Sequence, residues 1–179
     1  MNNKIPTREE VFKAFEEVKL GKNVIKHVVQ VCKKAVEIAK KIKNNGHTVD
    51  IKLVEIGALL HDIGRSETNK IDHAIKSAEI IKKYGWSDKL GRIAETHLLG
   101  GVDKYFAQIL GLPAKDYLPE TLEEKIVCYA DKIIKGSKEV SVDERFKYWK
   151  KRFGNTLLLD KSEMNIKKIE AELKKLMSK

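Results

Sequence analysis

The chain has 179 residues, of which 42% are hydrophobic and 35% charged, a balance typical of a globular domain with a substantial core. Its apolar runs fall far short of the ~20 residues that a membrane span needs, which excludes a membrane-spanning domain. Residues 1–6 lack the apolar stretch of a secretory signal, so we expect a cytoplasmic protein.

Helical periodicity dominates the chain, and no period-two strand pattern is convincing. We predict helices over residues 7–20, 23–44, 48–64, 72–84, 87–98, 103–110, 121–136, 142–153 and 161–177. Capping boxes open the first and seventh of these helices, and Asn23, Thr48 and Ser87 mark the starts of the second, third and fifth. The expected fold is all-α, a compact single-domain helical bundle over residues 1–179 with a C-terminal helical extension at about 142–177.

The net charge of +10 is compatible with an anionic partner such as RNA. The excess is mostly Lys and is spread along the chain, with part of it in residues 143–179, so solvated helix faces are the simpler explanation. The charge favours anionic ligands and leaves RNA contact open. Cys32 and Cys128 lie in apolar helical patterns, where packed thiols are expected and a disulfide is the alternative.

An imidazole and a carboxylate lie side by side where an apolar helical run ends. Residues 54–60 are almost entirely apolar, and His61, Asp62, Ile63 and Gly64 follow them directly. A lone buried His is usually a hydrogen-bonded core residue, and an Asp at a helix end is usually a cap. Two adjacent metal ligands at the edge of a core are hard to explain as packing, so the pair favours a metal site.

Other chemically active side chains fall on inner helix faces. His27 shares the apolar stripe of its helix, and His97 shares a face with Ile93. Asp131 lies among apolar residues, where a carboxylate needs either a salt bridge to Lys or Arg or a bound cation. His73 begins a helix and is also compatible with a capping or surface role, and we leave His47, in a turn, out of the site.

The order His27, His61-Asp62, Asp131 resembles the H…HD…D signature of the HD superfamily of metal-dependent phosphohydrolases, and residues 61–64 match its HDIG variant. The resemblance covers about residues 24–135. His73 and His97, between the central pair and the last Asp, are similar to the branch that holds two metal ions, as in bacterial HD-type hydrolases of diadenosine tetraphosphate. The chain lacks the GYP-type segment of cyclic-di-GMP phosphodiesterases, so that activity is not implied.

The resemblance implies that residues 24–135 form a metal-site core that holds two adjoining ions. The ligands implied for the first ion are His27, His61, Asp62 and Asp131. The ligands implied for the second are Asp62, His73 and His97, with the Asp62 carboxylate bridging. Imidazole and carboxylate donors suit Fe, Mn, Co, Ni or Zn, and one or two such ions are the expected cofactor.

Several further residues are candidates for the chemistry. Two metal ions activate a water and clamp phosphoryl oxygens, so a separate base is not required, although Asp72 or Glu67 could orient or accept a proton. Arg65 and Lys132 could neutralise a phosphate at the metal site, and a surface cation is the alternative for each. The aromatic residues that could stack a base, or simply anchor the core, are Tyr84, Trp86, Tyr105 and Phe106.

The leading hypothesis is a metal-dependent phosphohydrolase that cleaves a phosphate ester or anhydride, with a phosphorylated small molecule, in particular a nucleotide, as substrate. The alternative is a non-catalytic module that binds a nucleotide or RNA. A third hypothesis is a helical scaffold whose last helix docks on another chain, with a homo-oligomer as one form of it. The apolar stripe of Ile166, Ile169 and Leu173 is explained more simply by packing within the same domain.

Overall fold

Helices make up most of the chain, as its periodicity predicts. The structure, a computed structural model, describes residues 3–136 and 138–178. The α-helices of this part are α1 (Arg8–Glu17), α2 (Lys22–Asn44), α3 (Ile51–Leu60), α4 (His73–Lys83), α5 (Asp88–Thr96), α6 (Lys104–Ile109), α7 (Leu122–Ile133), α8 (Val142–Phe153) and α9 (Leu157–Met177). Two strands of two residues each, β1 (Ile134–Lys135) and β2 (Lys138–Glu139), pair antiparallel between α7 and α8. The predicted all-α fold is confirmed.

Side-chain caps determine where several helices begin. Thr7 forms the predicted capping box with Glu10, and Ser87 caps α5 as expected. Three predicted starts were wrong in detail, because α2 begins after Gly21, α3 is capped by Asp50, and α9 begins at Leu157. Thr121 caps α7, but its capping box is incomplete.

The predicted helix over residues 48–64 ends earlier, at Leu60, and this early end shapes the site. A short 3-10 helix (Ile63–Ser66) follows, and Asp62 before it has φ −110° and ψ 13°, outside the α-helical geometry. Gly64 packs directly on α4, since a Cβ at this position would lie 2.1 Å from the carbonyl oxygen of His73. The Gly64 N–H also donates to Oγ of Ser77 at 2.8 Å. The chain therefore turns sharply against α4 just after His61 and Asp62.

The core is built around α3, which packs on α2, α5 and α7. From Leu53 onward α3 is buried at nearly every position, and α2 contributes a stripe that includes Val28, Val31 and Ala35. Each large aliphatic side chain buried in this way contributes about 1.5–3 kcal/mol. The site residues at the ends of these helices are thus carried on closely packed elements.

The two C-terminal helices pack on the same core. Ile166, Ile169 and Leu173 of α9 are buried, which agrees with packing within the chain rather than docking of this face on another chain. α8 packs against α7 and α9. Whether residues 1–179 form one domain, with α8 and α9 as its extension, stays a prediction.

Both cysteines of the chain lie within the described residues, where Cys32 and Cys128 are buried free thiols. None of the helices in this part of the chain combines the length and the apolar character that a membrane span requires.

The close approach at Gly64 leads to a stability prediction. Gly64→Ala should lower the free energy of unfolding by about 1–3 kcal/mol or more, because the added methyl group meets backbone atoms of α4 that cannot move away cheaply. Gly91→Ala in α5 is the matched control, since its Cβ would meet Ala78 at an ordinary 3.7 Å. That change should be neutral or stabilising by up to about 1 kcal/mol. Urea unfolding checks both variants, and an equal response would contradict the packing described for Gly64.

Candidate metal centre

His61 and Asp62 lie at the buried end of α3. The residues are 0% and 4% exposed. Nδ1 of His61 is 2.7 Å from the carbonyl oxygen of Ala58 one turn earlier. A carbonyl oxygen only accepts, so Nδ1 carries the proton and Nε2 presents a lone pair. Among the described residues, neither Nε2 of His61 nor Oδ1 of Asp62 has a hydrogen-bond partner.

His27 of α2 and Asp131 of α7 meet beside His61. Nε2 of His27 is 2.9 Å from Oδ1 of Asp131, and Nε2 of His61 is 3.6 Å from the same oxygen. The two residues are more than a hundred positions apart in sequence, and packing of α2 against α7 brings them together. Both sequence predictions of an inward-facing side chain are met here.

His73 and His97 complete the cluster on the other side of Asp62. His73 is the first residue of α4 and His97 follows the last residue of α5. Their Nδ1 atoms lie 2.7 Å and 2.6 Å from the carbonyl oxygens of Lys70 and Ala94, which leaves both Nε2 atoms as acceptors. Those Nε2 atoms are 3.2 Å from each other, and Oδ1 of Asp62 is 3.2 Å and 3.4 Å from them.

This arrangement concentrates lone pairs in a buried space. Lone pairs that face one another repel unless a proton or another cation lies between them. Two groups of residues in the described chain have ligand atoms that all lie within 4.8 Å of one another inside the group. One group is His27, His61 and Asp131, and the other is His61, Asp62 and His97. The nitrogen and oxygen donors fit a divalent transition metal. His61 belongs to both groups, whereas the sequence prediction gave Asp62 the bridging position.

The electrostatics of the cluster keep its acids charged. Burial raises the pKa values of Asp62 and Asp131, but their neighbours together outweigh it, and both pKa values fall well below the usual range. The neighbours that lower the pKa are His61, His73, His97 and Arg65 for Asp62, and Lys132, His27 and His61 for Asp131. Burial lowers the pKa of His97 to about 3. It also lowers the pKa of His61, but the two carboxylates reverse the shift and raise it. Positive charge at Nε2 of His61 is therefore favourable.

Two side chains predicted to bind phosphate lie at the cluster and already have partners. Nε of Arg65 donates to Oδ2 of Asp62 at 2.7 Å, and its Nη2 is 3.1 Å from Nε2 of His73. Lys132 is buried, and its Nζ donates to the Asp131 carboxylate and, at 2.7 Å, to the carbonyl oxygen of His97. Lys132 therefore orients Asp131. The contact between Arg65 and His73 has to break before His73 can bind a second ion, whereas a single ion at His61 leaves it intact.

A cleft with a volume of about 490 Å³ opens onto the cluster. His27, Asp62, His73, His97 and Asp131 line it. The cationic residues in its lining are Arg65, Lys70, Lys132 and Arg145, so within the described chain the cleft has more positive than negative side chains. It is suited to an anionic ligand.

Other predicted candidates lie away from this cleft in the described part of the chain. The Asp72 carboxylate accepts a hydrogen bond from Oγ1 of Thr68 at 3.0 Å and is not in the lining, and Glu67 is exposed elsewhere. A role for either in proton transfer stays a prediction. Trp86 is buried with Tyr84 stacked on it, and Tyr105 is exposed on α6, so the aromatic residues singled out from the sequence do not face the cleft. His47 is exposed, as expected.

Sequence reasoning missed the side of the cleft formed by α8. Arg145, Trp149 and Phe153 of this helix line the cleft. Their spacing of four residues places them on one helix face, and this regularity was the available signal. From the sequence alone this spacing predicts only ordinary amphipathic packing, because it does not show that α8 lies beside α7.

The sequence of the chain matches a known protein family. The model of the HD domain matches residues 24–135, which contain all six predicted metal ligands. An uncharacterized protein of Methanocaldococcus jannaschii is 50% identical over 134 residues, which cover 75% of this chain and 79% of that protein.

Two further similarities extend the comparison. A tRNA (cytidine(56)-2'-O)-methyltransferase of Picrophilus torridus is 44% identical over 151 residues, 84% of this chain, but the match spans only 41% of that enzyme. The crystal structure of the HD domain of the L. monocytogenes phosphodiesterase PgpH, in complex with cyclic-di-AMP, has a TM-score of 0.54 at 17% identity. The alignment covers 95% of this chain and 98% of that one, so the fold is shared. The chain belongs to the HD-domain family.

Proposed function

We propose that this protein is a metal-dependent phosphohydrolase that cleaves a phosphate ester or anhydride of a nucleotide. One observation carries the proposal. The Nε2 atoms of His61, His73 and His97 lie 3.8, 3.2 and 3.4 Å from the carboxylate oxygens of buried Asp62, and each Nδ1 atom faces a backbone carbonyl. This arrangement lies at the base of a cleft with a cationic lining.

The residues fit a divalent ion. His27, His61 and Asp131 form one group that would hold an ion, and His61, Asp62 and His97 form another. His73 could also bind an ion if Arg65 moved away. Fe, Mn, Co, Ni and Zn all accept this donor set. When bound, such an ion supplies an activated water and neutralises charge on the phosphoryl oxygens.

The protein's own cations would bind and orient the phosphate. Arg65 and Lys70 line the cleft, and the side chain of Arg65 is 29% exposed, so donors not directed at Asp62 can reach a phosphate oxygen. Lys132 holds the Asp131 carboxylate in place from a buried position. Asp62, whose pKa lies well below its usual range, stays negatively charged in the same cleft.

A second candidate function is binding of RNA without catalysis. The net charge of +10 and the match to part of a tRNA methyltransferase favour it. In this case the metal, if bound, would hold the helix ends together, and the basic surface would contact the RNA backbone.

Metal content tests the ligand set. Wild-type protein should retain about one to two divalent transition-metal ions per chain through dialysis. His61→Ala should weaken metal binding by at least about tenfold, because His61 belongs to both ligand groups. His47→Ala, at an exposed turn, is the control and should bind metal normally. A chelator should lower the melting temperature of the wild type. Wild-type protein that takes up no transition metal would contradict the proposal.

Hydrolysis tests the chemistry itself. The metal-loaded wild type should release phosphate or a nucleotide from a panel of nucleotide esters and anhydrides, and Asp62→Ala should lower kcat by at least about 100-fold. Arg65→Ala should raise KM, because it removes the proposed phosphate contact, and should also lower kcat, because it removes a donor to Asp62. His47→Ala serves again as the control, and circular dichroism verifies that each variant is folded. Equal turnover by the wild type and a folded Asp62→Ala variant would refute the assignment.

Salt dependence distinguishes the RNA-binding alternative. If it holds, RNA affinity should fall steeply as salt rises, and Asp62→Ala should leave it unchanged, because phosphate contacts on the surface do not involve the metal centre. Binding of a tRNA transcript is measured by fluorescence anisotropy at several salt concentrations. No measurable affinity at low salt would remove this candidate.

A further inference from the structure

The α8 side of the cleft is aromatic. Trp149 and Phe153 lie about one helical turn apart, and both line the cleft that also contains His27 and Asp131. α8 lies outside residues 24–135, the segment that the HD-domain model matches. This aromatic wall, defined as Trp149 and Phe153, is therefore additional to the segment that carries the metal centre.

Contacts with the end of α7 and within α8 hold Trp149, the inner residue of the wall, in position. The Arg145 guanidinium donates to the carbonyl oxygens of Lys132 (2.8 Å), in the last turn of α7, and of Ile134, just after it. Its Cζ also lies 5.4 Å from the centre of the Trp149 ring. The ring of Phe146 packs edge-on against Trp149 at 5.0 Å. Because Asp131 is on the same helix end as these carbonyls, these contacts tie Trp149 to the part of α7 that carries a metal-centre residue.

The wall offers apolar surface beside cationic surface. Phe153 is 62% exposed, and Trp149 is only partly buried. Val24 of α2 adds an apolar side chain to the same cleft, while Arg65 and Lys70 provide positive charge. A ligand that matches this lining has a flat apolar portion and an anionic portion. Exposed aromatic rings stack on nucleobases of any sequence, and a cleft of about 490 Å³ has the size of a typical small-molecule site.

We propose that Trp149 and Phe153 bind the base of a nucleotide whose phosphate lies among Arg65, Lys70 and the metal-centre residues. The inference rests on the proposed function for the position of the phosphate. It gives the base of that nucleotide a binding site, which sugar phosphates cannot use because they have no aromatic base to stack. Stacking makes no specific hydrogen bonds, so the wall should accept more than one base.

Comparison of AMP with ribose 5-phosphate tests this base site directly, because the two ligands differ only in the base and share the sugar and the phosphate. Calorimetry on the full chain should show at least about fivefold tighter binding of AMP to the wild type. Phe153→Ala should reduce AMP affinity about fivefold and leave ribose 5-phosphate unchanged. Phe153→Tyr should keep AMP affinity, because it keeps the ring. Tyr105→Ala, which removes an exposed ring outside the cleft lining, is the matched control.

Three outcomes would overturn the base site. The first is equal affinity of the wild type for the two ligands, and the second is no binding of AMP. The third is an equal loss of affinity for both ligands in a folded Phe153→Ala variant. Failure of the base site is separable from failure of the hydrolase assignment. If nucleotides and sugar phosphates are hydrolysed equally and Phe153→Ala changes neither, the hydrolase stands and the base site is wrong. If Phe153→Ala selectively weakens AMP binding and nothing is hydrolysed, the base site stands and the hydrolase is wrong.

Discussion

The site depends on one kind of hydrogen bond, made three times. In His61, His73 and His97 the Nδ1 atom faces a carbonyl oxygen three residues earlier in sequence, so the proton is held there. Each Nε2 atom is thereby left as an acceptor within 3.8 Å of the Asp62 carboxylate. A backbone contact sets both the tautomer and the ring orientation, and it needs no additional side chain. The helix ends therefore shape the centre before any ligand binds.

The fold meets this constraint because several helices end beside the metal centre. α3 stops at Leu60, two residues before Asp62, because the chain packs against α4 at Gly64. α5 ends just before His97, and α7 carries Asp131 close to its own end. Adjacent residues within a helix point in different directions, so the early end of α3 is what allows His61 and Asp62 to contribute to one centre.

Much of this was predictable because it is local in sequence. Apolar periodicity placed His27, His97 and Asp131 on inner helix faces, and the lack of a convincing period-two pattern favoured an all-α fold. The contact of Arg65 with His73 and the burial of Lys132 depend on side-chain packing between helices, which periodicity does not specify. The aromatic wall was missed for the same reason: α8 reads as an amphipathic helix, and only its position beside α7 brings Trp149 and Phe153 into the cleft.

Diffraction data from crystals of the protein, collected on both sides of a transition-metal absorption edge, test the central claim most directly. The account predicts an anomalous peak within coordination distance of Nε2 of His61, with His27 and Asp131 or Asp62 and His97 around it. The contradicting result is a crystal grown with Mn, Fe, Co, Ni or Zn that shows no anomalous peak there. In that case the imidazoles would hydrogen-bond to water or to side chains instead.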